Sequence, residues 1–473
     1  MNSLLKSLSL LTMTLLLASC GSVNSGNNDI GGNAYPSEDQ EPFALASTVT
    51  ISDDQFFRVK SPKVCTQTNK NRFISQVMHD SYLWESSVPE LDYRDTTTYS
   101  TSEKMLKALK SSKDKFSFIM DAKTSQSFFE EGKNNDFGVG LKTVPIDKST
   151  YGFAVRFVYP NSPADKLGVK RGDIVSRIDD KVVTKESFND IVKILTDHES
   201  VKFTFLNSDG TTENKNLTKK SYSIDTILYS TVLSNSDSTK RIGYMVFQDF
   251  IKSANSQIDT EFSKFQRANV DELILDLRYN GGGYVYVANH LASLIGGSNV
   301  SENVFSKTNF NSRYAVNNKV EYFEQYNAKA LNLNRVFVIT TGSTCSSSEL
   351  VINALKASAN NVEVIQIGKP TCGKPYGYVG SGKVCGKALY AINLESKNGD
   401  DVGGYVNGLT PKCEAEDNLF KAFGDISEDS FQEALYYIKN NRCSVKKSKQ
   451  TREREKLDLQ LPQDGFKRIM SAY

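Results

Sequence analysis

Ser346 and Lys374 are the residues whose types and surroundings point most directly to chemistry in this chain. Arg335-Val336-Phe337-Val338-Ile339-Thr340 is a β-branched apolar run of the kind that forms a buried strand, and Thr341-Gly342-Ser343-Thr344-Cys345 breaks it. Ser346-Ser347-Ser348-Glu349 then has the S-x-x-E form of a capping box, with Leu350, Val351, Ala354 and Leu355 as the apolar stripe of a following helix. A serine at such a junction lies beside the unpaired N–H groups and the dipole of a helix start, which favour negative charge. It needs a base. The alternating run 361–367 leads into Gly368-Lys369-Pro370-Thr371-Cys372-Gly373-Lys374. A lysine can act as base where burial disfavours its ammonium form, and Ser-Lys pairs are a recurring variant of the serine triad. Ser343, Ser347 and Ser348 are rival nucleophiles. Taken singly, the two segments read as a capped surface helix and a solvated lysine.

Thr344-Cys345-Ser346-Ser347-Ser348-Glu349-Leu350 followed by Thr371-Cys372-Gly373-Lys374 resembles the Ser-Lys site of the C-terminal processing peptidases, or tail-specific proteases. The resemblance implies Ser346 as nucleophile, Lys374 as base and Glu349 as an orienting neighbour. Two departures stand out: Ser347 occupies a place where the family often has alanine, and the serine-to-lysine interval is slightly long. Asp276-Leu277-Arg278-Tyr279-Asn280-Gly281-Gly282-Gly283 closes another apolar strand with a glycine turn, whose N–H groups can face an oxyanion. It resembles the family's Asn-x-Gly-Gly element. Gly282 is the first candidate donor, with Gly281 or Gly283 as alternatives, and the backbone from Cys345 to Ser347 supplies the second. Otherwise this is a tight turn; neither Walker nor Rossmann spacing is present.

Asp136-Phe137-Gly138-Val139-Gly140-Leu141, Tyr159-Pro160-Asn161-Ser162-Pro163-Ala164 and Gly168-Val169-Lys170-Arg171-Gly172-Asp173 follow one another as in a PDZ domain. On that resemblance Gly138, Val139, Gly140 and Leu141 present N–H groups to a peptide's terminal carboxylate, and the peptide pairs as an added strand. Phe188 and Val192, with Leu195, lie on one face of a helix expected over 185–197 and line the side-chain pocket, or else are core.

The first twenty residues have one early charge, Lys6, a short apolar core and the ending Leu17-Ala18-Ser19-Cys20. That is the order of a secretory signal, and its end resembles a bacterial lipobox in which Cys20 is lipidated. An exported lipoprotein on a membrane face is expected. Residues 21–54 are a Gly-, Asn- and Ser-rich tether, 55–135 a small helical region, 136–222 the PDZ domain, 223–440 the catalytic domain and 441–473 a charged tail. The fold class is α+β multidomain, and the resemblance implies a crotonase-like ββα catalytic core. A strand and turn over 403–411 and a helix over 431–438 are expected to close it.

Across 473 residues the formal net charge is +2, so a polyanionic partner such as nucleic acid is not indicated. The three histidines, His79, His198 and His290, are scattered, so neither a histidine metal cluster nor a cofactor is expected; His290 is a distant second candidate for the base. Seven cysteines leave six once Cys20 is lipidated, an even number that fits disulfides in an exported chain. Their pairing is open, although Cys345 and Cys372 flank the proposed nucleophile and base. The reading is a serine endopeptidase acting on proteins with free C-terminal tails; the alternative is a non-catalytic, membrane-tethered PDZ scaffold. An HtrA-type protease fits less well, because its PDZ domain follows the catalytic domain.

Overall fold

The computed structural model describes residues 59–234, 240–325, 327–379 and 382–445. The segment read as a lipobox with Cys20, the stretch read as a tether up to residue 54 and most of the expected charged tail, from 446 onward, lie outside the described residues.

The C-terminal part is built on six strands in the order Ile227–Ser234, Arg241–Phe247, Glu272–Asp276, Arg335–Thr340, Glu363–Gly368, Cys413–Glu414. The first pair is antiparallel and every later pair parallel. Parallel neighbours need crossovers, and the helices Ala254–Arg267, Val285–Gly296 and Ser347–Leu355 lie within those crossovers. Because both faces of the sheet are covered, its inner strands are buried throughout: all five residues of Glu272–Asp276 are buried, the apolar Leu273, Ile274 and Leu275 between two charged ends. The three helices form one core with Met245, Leu273, Leu275, Val336 and Val338. Asp429–Asn440 covers the other face, where Phe431, Ala434 and Tyr437 meet Ile274, Phe337 and Ile365. No regular strand forms over 403–411; that segment is a loop, and the strand expected there is the two-residue Cys413–Glu414.

The PDZ region forms a sheet ordered Val139–Pro145, Tyr151–Val158, Ile174–Ile178, Ser200–Leu206, Thr212–Thr218, with the helix Phe188–Asp197 packed into its core. It is joined to the C-terminal part by charged and phenolic groups. Arg171 donates to Tyr279 Oη at 2.6 Å and to Asp417 Oδ1 at 2.8 Å, and Tyr159 donates to Asp249 Oδ2 at 2.5 Å. The N-terminal region, expected to be helical, has the helices Gln67–Asp80 and Ser102–Leu109, and adds a third helix, Ala122–Phe129, and a strand. Phe118–Asp121 pairs antiparallel with Lys387–Tyr390, and the Cys65–Cys385 disulfide fastens the same two parts. Residues that precede the PDZ region in sequence therefore flank the stretch that carries Lys374.

Candidate active site

Ser346 is the N-cap of Ser347–Leu355, with φ 55° and ψ −116°. A positive φ is unfavourable for a side-chain-bearing residue, and such strain persists only where surrounding bonds over-determine the conformation. Those bonds are present. Glu349, three residues on, accepts the Ser346 N–H on Oε2 at 2.9 Å, half of the capping box expected from S-x-x-E. The same Oε2 accepts the Lys374 N–H at 2.9 Å. Oε1 takes the Gly373 N–H at 2.8 Å and the Thr371 hydroxyl at 2.5 Å. Glu349 is buried; burial pushes its carboxyl up, against hydrogen bonds from Thr371, Lys374, Gly373 and Ser346 that pull it down. It is thus a positioning residue whose acceptors meet backbone donors and a threonine.

A covalent tie runs alongside. Cys345, before the serine, is bonded to Cys372, two residues before Lys374, with Cα atoms 5.3 Å apart. Lys374 is only 9% exposed, and its Nζ lies 4.9 Å from the Tyr378 ring centroid and 5.5 Å from that of Phe116. The loop 403–411 backs this segment: a Cβ on Gly373 would come within 2.3 Å of the Val406 carbonyl, which explains why Gly373 sits at φ 83° without a side chain.

The glycine turn is seated against the serine. A Cβ on Gly282 would lie 2.7 Å from Ser346 Cβ and 3.0 Å from Ser347 N. Three bonds hold the turn to the helix start: Cys345 N–H to Asn280 O at 3.0 Å, Ser348 Oγ to Asn280 O at 3.0 Å and Ser347 Oγ to Gly283 O at 2.6 Å. Ser347 and Ser348, the rival nucleophiles, are buried latches with engaged hydroxyls. The Ser343 hydroxyl receives Arg156 Nη1 at 3.3 Å. His290 is fixed elsewhere, between Asp259 Oδ1 at 2.9 Å and Glu324 Oε2 at 2.7 Å, and these carboxylates push it up despite burial. With both ring nitrogens engaged, it is not poised to act as a base.

Three expectations need correction. The Gly282 N–H donates to Asn280 Oδ1 at 2.8 Å, so the first-choice oxyanion donor is occupied, leaving Gly281 or Gly283 with Ser347 as candidates. The Gly138 N–H donates to Asp136 Oδ1 at 2.7 Å, and is therefore not open to a peptide carboxylate. Phe188 is 3% exposed and its ring lies 6.2 Å from that of Phe153, so it is core rather than pocket. Val192 is half-buried at the edge of that core. Val139, Gly140 and Leu141 lie on or beside the first strand of the PDZ sheet, which pairs with Tyr151–Val158 on one side and ends the strand order on the other.

Asn280 and Thr371 stand in the sequence only as members of quoted motifs; the structure gives each a role of its own. Asn280 shapes the turn, accepting from Gly282 and donating to the Phe247 carbonyl at 3.1 Å; an Asn-x-Gly step is a sequence signal for such a side-chain-closed turn. Thr371 left no signal, because its role depends on a loop brought from residue 409. Cys345, Glu349 and Cys372 converge, as do Cys413, Glu433 and Cys443, but in each group the sulfurs are joined as a disulfide and offer no thiolate to a metal.

The profile of Peptidase family S41 matches residues 241–379, that of the Peptidase S41 N-terminal domain residues 69–118, and that of a PDZ domain residues 155–207. A probable CtpA-like serine protease of Staphylococcus epidermidis is 24% identical over 251 residues, covering 53% of this chain and 47% of that protein. Carboxyl-terminal-processing peptidase 2, chloroplastic, of Arabidopsis thaliana is 25% identical over 284 residues, 59% of this chain and 52% of that one. The chain thus spans about half the length of the curated relatives it matches. Among solved structures, a putative S41 protease from Bacteroides fragilis superposes with a TM-score of 0.63 at 21% identity, covering 78% of this chain and 97% of the other, a likeness of fold.

Proposed function

The chain belongs to peptidase family S41, and from that premise we propose that it is a serine endopeptidase in which Ser346 is the nucleophile and Lys374 the general base. The observation that carries this reading is the shared carboxylate: Glu349 binds the backbone of both residues through one oxygen. Neutral Lys374 takes the Ser346 proton as Oγ attacks the substrate carbonyl carbon. The resulting oxyanion is met by N–H groups of Gly283 and Ser347, across the contact between turn and helix. Collapse of the tetrahedral species expels the amine, which takes its proton from the Lys374 ammonium. Water, deprotonated by the same lysine, then releases the acyl group from Ser346. The strain at Ser346 supports a catalytic over a purely structural serine, since an unstrained capping residue has a negative φ.

The substrate class in this reading is protein with a free C-terminal tail, received as an added strand on the outer edge of Val139–Pro145. Anchoring through lipidated Cys20 is part of the same proposal. Its support is arithmetic of sulfur: of seven cysteines, six form the pairs 65–385, 345–372 and 413–443, as an oxidising compartment favours, and Cys20 is the one left over.

The test is labelling with a fluorophosphonate and hydrolysis of an unfolded protein, comparing wild type with Ser346→Ala and Lys374→Arg. Both variants are expected to lose hydrolysis while remaining folded, because a guanidinium keeps the charge but cannot act as a base. Labelling or turnover that survives Ser346→Ala overturns the assignment. Substantial turnover by Lys374→Arg replaces the base role with a charge role.

A further inference from the structure

Arg156 stands where the strand Tyr151–Val158 breaks its alternation. Leu141 pairs with Val155 and its neighbour Gly140 with Phe157, so the register skips Arg156 and the strand is bulged there. A bulge bends the strand and re-aims the side chains around it. Phe153 and Val155 accordingly enter the PDZ core, whereas Phe157 packs with Tyr159 and Tyr279 at the junction with the C-terminal part. The bulge is held from behind: Arg171 Nη1 donates to the Arg156 carbonyl at 2.7 Å, and the Gly172 N–H to that of Val155 at 2.9 Å. The Arg156 guanidinium is thereby laid 5.1 Å from the Tyr279 ring centroid, with Nη1 3.3 Å from Ser343 Oγ. Tyr279 directly precedes Asn280 and the glycine turn, and Ser343 comes three residues before Ser346. One guanidinium thus touches both segments that meet at Ser346.

Its bonding is incomplete for a cation in such a place. A guanidinium is a fork of N–H donors with no acceptor of its own. Nη1 meets the Ser343 hydroxyl, while Nε is enclosed and has no acceptor among the described residues. The other arginines of this junction show what a structural role requires. Arg171 pairs with Asp417 at 2.8 Å, and Arg278 with Asp276 at 2.8 Å, Asp417 at 3.0 Å and Glu428 at 2.9 Å. Among the described residues, Arg156 pairs with no carboxylate. Burial pushes its guanidinium down from the ordinary value, Tyr279 and Asp417 oppose this and Arg171 adds to it, yet an arginine stays charged. A charge held without a counterion is costly, and an arriving anion relieves that cost. The place is open to one: Arg156 and Ser343 are half-buried, Gly342 is exposed, and a Cβ on Gly342 would meet nothing within 4 Å.

We propose that Arg156 is a substrate-binding residue that takes a carboxylate of the peptide, either an acidic side chain or the terminal carboxylate, lying within about three residues of the scissile bond. The reach follows from the chain: the step from Ser343 to Ser346 spans at most about 11 Å, the length of a similar run of extended peptide. A carboxylate matches the guanidinium fork through paired N–H bonds, which gives selectivity as well as affinity. This rests on the Ser346 peptidase reading above.

The experiment uses internally quenched peptides built around a cleavage site that the wild type makes in an unfolded protein, mapped by mass spectrometry. One series exchanges Asn for Asp, or Gln for Glu, at each position within about three residues of the bond; a second ends at that distance beyond the bond as free acid or amide. In one series the acid is expected to exceed its uncharged counterpart in kcat/KM by at least about tenfold, the scale of hydrogen bonds to a charged group. The series that responds tells an acidic side chain from a terminal carboxylate. Arg156→Met keeps the stem and loses the charge. Ser343→Asp, in a loop beside exposed Gly342, leaves Arg156 in place and gives it an internal carboxylate, and it serves where Arg156→Met does not fold. Both are expected to bring the ratio within about twofold of unity, whereas a merely structural arginine would lower acid and uncharged peptides alike and keep the ratio. A wild type that cleaves both forms equally overturns the inference whether or not the variants fold, and so does a ratio that persists in either variant. Ser346-dependent fluorophosphonate labelling separates this failure from the other: a labelled enzyme without the preference refutes the carboxylate site alone. A wild type that neither labels nor cleaves refutes the peptidase reading beneath it.

Discussion

Ser346 and Lys374 donate their backbone N–H groups to the same oxygen atom, Oε2 of Glu349, each at 2.9 Å. The two main-chain nitrogens are thus within two hydrogen-bond lengths of each other through one carboxylate. Their relative position is thus tied through the backbone. Glu349→Gln retains size and shape, yet one of its two acceptor oxygens becomes an NH2 group facing N–H donors. Removal of those buried bonds is expected to destabilise the protein by roughly 2–4 kcal/mol, leaving donors unsatisfied. Turnover should fall by more than the loss of folded protein explains. Urea melts and kcat measured on the folded fraction check this; a variant with wild-type kcat would mean the carboxylate has no part in aligning the pair.

The latches on the glycine turn make a second expectation. Ser347→Ala removes a 2.6 Å bond to the Gly283 carbonyl and Ser348→Ala a 3.0 Å bond to that of Asn280. Each should cost about 1 kcal/mol of stability. They should lower kcat with little change in KM, because the glycine turn proposed to meet the oxyanion shifts while the proposed substrate surfaces stay. Neither should abolish Ser346-dependent labelling, and loss of labelling in Ser347→Ala with retention in Ser346→Ala would exchange their roles.

Much of this site was legible because it is local. The strand, the capping box at Ser346 to Glu349 and the helix all follow from residues close in sequence, and the structure has them as Arg335–Thr340 and Ser347–Leu355. What could not be read depends on segments far apart. Gly282 was chosen as donor because glycine frees the backbone, but nothing in Asn-Gly-Gly-Gly says that the asparagine side chain turns back onto that particular N–H. Phe188 shares its helix face with core positions, and periodicity alone does not distinguish a pocket wall from a core wall. The strand Phe118–Asp121 comes beside the stretch that follows Lys374 only by pairing with residues some 270 positions later.

Gly282→Ala should be among the most damaging small substitutions. The residue has φ 103°, and an added Cβ would lie 2.7 Å from Ser346 Cβ and 2.9 Å from the Cys345 carbonyl. Both the strain and the clash fall on Ser346, the proposed nucleophile, so activity should drop at least about a hundredfold, the scale seen when an oxyanion donor is lost. Gly342→Ala, where an added Cβ meets nothing within 4 Å, is the control expected to keep activity. Comparable activities in the two variants would reject the contact between turn and serine.

The Cys345–Cys372 disulfide joins the Ser346 segment to the Lys374 segment in parallel with Glu349. Cys345→Ala with Cys372→Ala should therefore lower Tm and kcat while leaving Glu349 to hold the alignment, a partial loss rather than an abolition. Thermal melts and turnover of the double variant check it, with Cys413→Ala plus Cys443→Ala, remote in sequence from Ser346 and Lys374, as comparison. Equal effects of the two pairs on kcat would show that the first has no special bearing on the site.

Asp249 carries the last expectation, one of pH. It is 3% exposed, accepts the PDZ hydroxyl of Tyr159 at 2.5 Å, and immediately precedes Phe250, whose carbonyl receives the Tyr284 N–H at 2.7 Å beside the glycine turn. Burial pushes its carboxyl up to about 7; the Tyr159 bond opposes this and the nearby charge of Asp136 adds to it. Asp136, itself buried, is pushed up to about 6. A folded-state value above the unfolded one means that folding favours the protonated acid. Below about pH 4 both states are protonated and the contribution is fully present; it is lost as pH rises from there through about 7, because only the unfolded chain ionises freely. The wild-type Tm should consequently fall between pH 5 and pH 8. Asp249→Asn keeps an acceptor oxygen for Tyr159 and never ionises, so it should flatten that slope and raise Tm at pH 8 by about 5 °C or more. Asp136→Asn should remove a smaller portion at the lower end of the range. A variant Asp249→Asn that melts below wild type at pH 8 with the slope intact would mean that the carboxylate is ionised and well solvated at this junction. The PDZ contact would then be stabilised by its charge instead of opposed by it.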